Sequence, residues 1–186
     1  MRLSIMGPPG VGKGTQAKRI KNALNITHLS TGEILRLKIK AESKVGVIAK
    51  SFIDKGHLVP DEILIKIVKD RVARPDCSNG YLLDGFPRTL AQAEGLEKIL
   101  YNEGHRLDFV ISLVADESEL VKRLINRKKE SGRSDDNPKI IRNRQKIYWE
   151  QTAPLLDFYR KKDILINING LGEISEITKR ILQNLK

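Results

Sequence analysis

The sequence predicts an α/β fold in which helices flank a five-stranded parallel sheet. Short apolar runs alternate along the chain with amphipathic helical patterns, and a glycine-rich loop joins the first apolar run to the first helical pattern. Alternation of strands and helices requires crossover connections, which place helices on both faces of a parallel sheet. The apolar runs are continuous, as is typical of strands that are buried on both faces.

In chain order, the apolar runs predict strands at residues 3–6, 26–28, 81–83, 109–114 and 164–168. The helical patterns lie at residues 15–24, 33–41, 45–55, 61–73, 90–103, 118–129, 139–160 and 173–185. Residues 30–59 contain two helical patterns with no strand between them, which predicts a small helical insertion. Residues 130–138 are polar and contain glycine, so we expect a loop there between two long helices.

Composition limits the class of protein. The 186 residues, with 40% hydrophobic content, suit one compact core. The net charge of +11 favours polyanionic partners, but only 5% of residues are aromatic and no stacking motif is visible, so a non-catalytic nucleic-acid-binding protein is a remote alternative. A single cysteine excludes an internal disulfide. The chain start does not resemble a signal peptide and no apolar stretch approaches the roughly 20 residues of a membrane span, so we expect a cytoplasmic protein.

The glycine-rich loop Gly7–Thr15 has the composition of a phosphate-binding loop. Its glycines let backbone N–H groups turn toward an anion, and the next helix begins there with unpaired N–H groups and its positive dipole end. Lys13 adds a full charge that can reach the outer phosphates of a nucleotide. The strict P-loop pattern has Ser or Thr directly after the lysine, whereas this chain has Gly14 there and Thr15 next. The pattern therefore leaves the direct Mg²⁺ ligand open.

A second candidate site follows the predicted strand at 81–83, where Asp84 is followed by Gly85 and Arg88. Asp84 is well placed to hold Mg²⁺ through water, because Mg²⁺ keeps several waters and few protein ligands. Gly85 permits a ligand to approach the backbone, and Arg88 offers a planar guanidinium for phosphate. Since ligands bind beyond the carboxyl ends of parallel strands, we expect this segment and Gly7–Thr15 to share one rim of the sheet.

Six segments resemble the adenylate kinase family, in its order and at its spacing, over essentially the whole chain. They are residues 7–15, 28–36, 56–62, 83–89 with Gln92, 132–136 and 151–155. The resemblance implies a P-loop NTPase-like core at 1–29, 60–126 and 138–186, a helical NMP-binding insertion at 30–59 and a short lid at 127–137. It implies the reaction MgATP + AMP ⇌ 2 ADP in a monomer, with ATP, AMP and ADP as ligands and Mg²⁺ as cofactor.

The resemblance also implies the site residues. Those for ATP are Gly10, Val11, Gly12, Lys13, Gly14, Thr15, Arg123, Arg127, Gly170 and Gly172. Those for AMP are Thr31, Arg36, His57, Leu58, Val59, Gly85, Phe86, Pro87, Arg88, Gln92, Arg133 and Arg144. The catalytic residues among them are Lys13, Arg88, Arg123, Arg133 and Arg144. His57 stands where bacterial relatives often have lysine, which leaves only its backbone with an expected contact to AMP.

The chemistry of this reaction requires no catalytic histidine. The second pKa of a phosphate monoester lies near 6, so AMP is mostly a dianion at pH 7 and needs no general base. Catalysis is then positioning and charge stabilisation of a loose phosphoryl transition state. The short lid contains no Cys or His, so no zinc site is expected.

The short lid also makes a UMP/CMP kinase the nearest alternative. Gln92 can accept from the adenine amine and donate to a ring nitrogen, whereas pyrimidine kinases usually have Asn at this place. Thr31 is typical of adenylate-type relatives, whereas pyrimidine kinases tend to have Ala. Both residues favour AMP as the acceptor, and no nucleic-acid partner is expected.

Overall fold

The computed structural model describes residues 1–131, 135 and 137–185, without the side chains of Glu117 and residues 127–131. Its five parallel strands are β1 (Arg2–Met6), β2 (Thr27–Ser30), β3 (Tyr81–Asp84), β4 (Phe109–Val114) and β5 (Leu165–Asn169). They pair in the order β2-β3-β1-β4-β5. The predicted α/β fold with a five-stranded parallel sheet is therefore confirmed.

The helices are α1 (Lys13–Leu24), α2 (Thr31–Lys40), α3 (Lys44–Ile53), α4 (Asp61–Val72), α5 (Leu90–Asn102), α6 (Glu117–Ser131), α7 (Pro138–Ile147), α8 (Leu155–Arg160) and α9 (Ile174–Gln183). A 3₁₀ turn at Pro75–Cys77 precedes β3. Every strand, and every helix outside 139–160, lies within about two residues of its predicted bounds. The agreement is close because the apolar residues that indicate each element in the sequence are the residues that the fold buries.

The single helix predicted at 139–160 is wrong. The structure has α7, then one π-helical turn at Tyr148–Thr152, then α8. Pro154 has no N–H group and its ring clashes with the preceding turn, so a regular helix cannot pass through it. The π turn also directs Thr152 inward, where its hydroxyl donates to the carbonyl of Arg88 at 2.9 Å. Such turns are frequent at functional sites.

The sheet separates two hydrophobic clusters. On one face, Leu82 packs with Ile20 of α1 and Ile181 of α9. On the other face, Tyr81 packs with Val68 of α4 and Leu96 of α5. Successive residues of a strand point to opposite faces, so burial of every position in β3 except its last explains the continuous apolar run.

The order of the strands fixes the position of the candidate site. Strand β1 lies between β3 and β4, so the chain builds β2 and β3 on one side of it and then reverses to build β4 and β5 on the other. Ligands of such sheets bind at this point of reversal, beyond the carboxyl ends of the strands. The loop after β1 and the end of β3 both lie there, because Ile5 of β1 is in register with Asp84.

Helices α2 and α3 form the predicted helical pair and cross closely at Gly46. A Cβ atom there would lie 2.0 Å from the carbonyl oxygen of Lys38, so only glycine permits this approach. Among the helices in the described residues, none combines the length and apolar character needed to cross a membrane.

Candidate functional site

The loop between β1 and α1 has the backbone geometry of an anion cradle. Gly7, Gly10 and Gly12 have φ angles of 141°, 91° and 99°, which favour glycine. A Cβ at Gly10 would lie 2.7 Å from the carbonyl oxygen of Leu120, whereas one at Gly12 would meet no atom within 4 Å. The loop is therefore packed at its base and open at its tip. Gly12 is the N-cap of α1 and leaves the first N–H groups of that helix without a side-chain acceptor.

Lys13 lies over this loop. Its Nζ donates to the carbonyl oxygens of Gly7 at 2.7 Å and Pro8 at 3.0 Å. These carbonyls hold the ammonium group at the mouth of the loop, where a nucleotide phosphate would compete for it. The next residue, Gly14, faces the end of β3, since a Cβ on it would lie 3.6 Å from Oδ2 of Asp84.

Asp84 connects the phosphate loop with the rest of the site. Its Oδ2 lies 3.2 Å from Nε2 of His28, on the neighbouring strand β2. Burial raises the pKa of this carboxyl, but the hydrogen bond with His28 and the charge of Lys13 outweigh it, and the pKa lies below its usual range. The carboxyl group of Asp84 is therefore held in its ionised form near Lys13.

Arg88 is held by its own backbone segment. The Phe86–Pro87 peptide bond is cis and Gly85 has a φ of 81°, so the chain turns sharply after β3. The Nε of Arg88 donates to the carbonyl of Gly85 at 2.9 Å, and the hydroxyl of Thr152 donates to the carbonyl of Arg88. These contacts position a guanidinium whose remaining N–H groups can bind phosphate oxygens.

Several cations converge on Arg88. Burial, and then repulsion by Arg144, lower the pKa of Arg88 to about 10, and Arg36 contributes in the same direction. Arg144 is paired with Asp135 at 2.8 Å, and this pair is largely buried. An anion bound among these arginines would relieve the repulsion that lowers this pKa. The cluster therefore favours a phosphate group.

Of the other residues predicted for AMP, Thr31 and Gln92 contact the segment after β3, whereas His57, Leu58 and Val59 differ in burial. The hydroxyl of Thr31 donates to the carbonyls of Asp84 and Gly85, at 3.3 and 3.0 Å. Gln92 is completely buried. Val59 is 3% exposed, Leu58 is partly buried, and the side chain of His57 is exposed.

The segment that follows α3 contacts α7. Nδ2 of Asn143 donates to the carbonyl of Lys55 at 2.8 Å, and a Cβ on Gly56 would lie 2.9 Å from the side chain of Ile140. Helix α7 also contacts the phosphate loop, where Nε2 of Gln145 donates to the carbonyl of Pro9 at 3.0 Å. Helix α7 therefore carries Arg144 between the two predicted nucleotide sites.

Some of the residues predicted for ATP form a separate group. Nη1 of Arg123 donates to the carbonyl of Gly170 at 3.2 Å, and its Nε donates to Glu119 at 3.0 Å. Gly170 packs on Val11, since a Cβ there would lie 2.9 Å from that side chain. Gly172 has a φ of 101°.

Two predicted arginines cannot be placed. Arg127 belongs to α6 but its side chain lies outside the described atoms, and Arg133 lies outside the described residues, with most of the predicted lid. In the part of the chain that the structure describes, no three His, Cys, Asp or Glu side chains are grouped as metal ligands.

Sequence reasoning assigned no individual role to His28, Asp61, Asn143, Gln145 or Thr152, although three of them lie in segments that carry the resemblance. Asp61 accepts hydrogen bonds from both Thr89 and Gln92. The Thr-x-x-Gln spacing of Thr89 and Gln92 is a capping pattern and could have indicated a local network. The other contacts join residues that are far apart in the chain and leave no local signal.

Comparison with known proteins identifies the family. The family model for adenylate kinase matches residues 5–164. An adenylate kinase of Nocardioides sp. is 48% identical over 185 residues, which cover 100% of this chain and 97% of that relative. An adenylate kinase of Leptospira biflexa is 50% identical over 99% of both chains, and one of Bifidobacterium longum is 47% identical over 100% of both. This chain therefore belongs to the adenylate kinase family.

Proposed function

We propose that this chain transfers the terminal phosphoryl group of ATP to AMP, reversibly, and forms two molecules of ADP. Family membership confirms the prediction of an adenylate kinase, a nucleoside monophosphate phosphotransferase. Neither the UMP/CMP kinase nor the nucleic-acid-binding alternative gains support from these relatives. A monomeric state, a cytoplasmic location and the domain bounds at 30–59 and 127–137 stay predictions from the sequence.

One observation carries the proposal: the carboxylate of Asp84 lies near two cationic side chains that belong to two different loops. Lys13 of the phosphate loop and Arg88 both lower the pKa of Asp84 through their charges. We name Gly7–Thr15 the ATP half of the cleft and Gly85–Gln92 the AMP half. Two phosphate sites on either side of one carboxylate fit a donor and an acceptor phosphate that face each other.

The residues of the chain supply positioning and charge. Lys13 and the N–H groups at the start of α1 bind the outer phosphates of ATP, while Arg36 and Arg88 bind the phosphate of AMP. An oxygen of that phosphate attacks the terminal phosphorus, and the bond between this phosphorus and the oxygen bridging to the β-phosphate breaks. No proton is transferred, because the attacking phosphate is a dianion. Arg144 stabilises the charge on the transferred group.

The donor set fits Mg²⁺. Asp84 offers a carboxylate beside the phosphate loop, and Mg²⁺ is usually bound by one or two carboxylates, substrate phosphates and water. When bound, such an ion would supply positive charge that offsets the charge of the phosphates. Asp84 would hold the ion through a water, since Gly14 offers no hydroxyl.

An assay of acceptor choice tests the proposal. The enzyme is supplied with MgATP and, in separate reactions, AMP, CMP or UMP, and the diphosphate products are measured. We expect ADP from AMP at the highest kcat/KM. Equal or faster turnover of CMP or UMP would overturn the assignment of the acceptor.

A further inference from the structure

The side-chain amide of Gln92 is held at both ends by the protein. Its Oε1 accepts from the backbone N–H of Arg88 at 2.8 Å, and its Nε2 donates to Oδ1 of Asp61 at 2.7 Å. Gln92 is completely buried, and Asp61 is 31 residues away along the chain, at the start of α4. This amide is therefore clamped between its own helix start and a different helix.

Asp61 is itself fixed by a second contact. Its Oδ2 accepts from the hydroxyl of Thr89 at 2.9 Å, and the same hydroxyl oxygen accepts from the backbone N–H of Gln92 at 3.1 Å. Thr89 is the N-cap of α5, so the network is anchored on a helix start. A carboxylate held by both oxygens cannot rotate away without breaking both bonds.

These partners determine which way the amide points. The two ends of an amide have nearly the same shape, so packing alone does not distinguish them. A backbone N–H can only donate and a carboxylate can only accept, and both demand the same orientation of Gln92. An amide has two hydrogens on nitrogen and two lone pairs on oxygen. After the two protein bonds, one hydrogen and one lone pair remain.

The remaining donor and acceptor match one class of base edge. Adenine presents an amine, which donates, beside a ring nitrogen, which accepts. Hypoxanthine presents a carbonyl and a ring N–H at the same places. Its carbonyl would therefore face the amide oxygen of Gln92, and its N–H would face the amide nitrogen, so neither hydrogen bond could form. A site with fixed polar groups rejects such an analogue strongly, because its own groups are left unpaired.

We propose that Asp61 is a specificity-determining positioning residue, which fixes the amide of Gln92 so that the site accepts adenosine monophosphate and rejects inosine monophosphate. This inference rests on the proposed function, because it requires Gln92 to contact the base of the acceptor. Asp61 touches no substrate atom and acts only through Gln92. Since Gln92 is buried in this structure, the base reaches the amide after neighbouring side chains move.

The test compares kcat/KM for AMP and for IMP, with MgATP as donor, in four variants of the full chain, one of which is Gln92→Leu. Asp61→Leu removes the acceptor and should lower the AMP:IMP ratio about fivefold or more, because one of two bonds that orient the amide is lost. Asp61→Asn can still present an oxygen to Nε2, so its ratio should stay within about twofold of the wild type. Glu62→Leu, an exposed neighbour in the same helical turn, should leave the ratio unchanged.

Two outcomes overturn the inference, and they are distinguishable. An unchanged ratio in Asp61→Leu, with a collapsed ratio in Gln92→Leu, shows that Gln92 recognises the base without help from Asp61. An unchanged ratio in Gln92→Leu shows that the proposed role of Gln92 has failed, and the inference fails with it. A ratio in Asp61→Asn as low as in Asp61→Leu assigns the effect to charge and also overturns it. If thermal unfolding shows that Asp61→Leu does not fold, Asp61→Ala lacks the same acceptor and replaces it.

Discussion

The AMP half and the ATP half of the cleft hold their functional groups in different ways. In the AMP half, Arg88 and Gln92 are fixed by contacts with Gly85, Thr152 and Asp61 that a bound nucleotide need not break. In the ATP half, Lys13 donates to the carbonyls of its own loop. In the proposed function, the polar groups of the AMP half are already oriented, although neighbouring side chains must move to admit the base, whereas Lys13 must exchange its internal contacts for contacts with phosphate. The entropy cost of ordering these side chains therefore falls on folding in the AMP half and on nucleotide binding in the ATP half.

The largest expected effects come from removing one charge in each half. Arg88→Ala should lower kcat/KM for AMP by about 10²–10³-fold, because it removes an oriented guanidinium that donates hydrogen bonds to the phosphate of AMP. Lys13→Ala should lower kcat by a similar factor and also raise KM for ATP. Steady-state kinetics with each substrate varied separates the two, with Arg106→Ala and Lys18→Ala as exposed controls of the same charge. Near-normal rates in either variant would remove that residue from the mechanism.

A matched pair of glycine substitutions should change stability in opposite directions. Gly85 has a φ of 81°, and a Cβ there would lie 2.9 Å from Nη2 of Arg88, so Gly85→Ala should cost about 1–2 kcal/mol and weaken AMP binding. Gly14 lies in α1, and a Cβ there would lie 3.6 Å from Oδ2 of Asp84, which is an ordinary van der Waals contact. Gly14→Ala should therefore raise the free energy of unfolding by about 0.4–1 kcal/mol. Chemical denaturation measures both. Equal destabilisation by the two substitutions would contradict the difference between the halves.

The acid dependence of stability should be smaller in Asp84→Asn. The pKa of Asp84 is lowered in the folded chain, so its carboxylate stabilises the fold above the unfolded value of about 4. This stabilisation is lost as the pH falls through the folded pKa. Below pH 5, the free energy of unfolding should thus fall less steeply with falling pH in the variant, by a slope that corresponds to less than about one proton. Asp70→Asn, an exposed change of the same charge, is the control, and an unchanged slope in Asp84→Asn would contradict the assignment.

The sequence predicted the sheet and most helices because local pattern and burial agree there. The prediction failed at Tyr148–Thr152, because the apolar period of a helix continues through the π turn and only Pro154 marks a break. Motif residues such as Lys13, Asp84 and Arg88 could be identified from their order in the chain, and the structure brings these three together.

Other parts of the site depend on tertiary pairing and could not be predicted. Asp61 is an ordinary acidic residue in the first turn of α4 until α5 places Gln92 against it. Asn143 bonds the carbonyl of Lys55, a group that every residue carries and no sequence pattern marks. Gln92 shows the same limit. Its amide side chain indicated base recognition, but the orientation of that amide depends on Arg88 and Asp61, which lie 4 and 31 residues away.

Amide hydrogen exchange tests the difference between the halves most directly. The N–H groups of Arg88 and Gln92 already donate to side chains in the free protein, whereas those at the start of α1 have no acceptor within the helix. We predict that MgATP slows exchange at residues 12–15 by at least about tenfold, and that AMP changes exchange at 88 and 92 by less than about twofold. Fast exchange at 88 and 92 in the free protein, with strong slowing by AMP, would contradict the account.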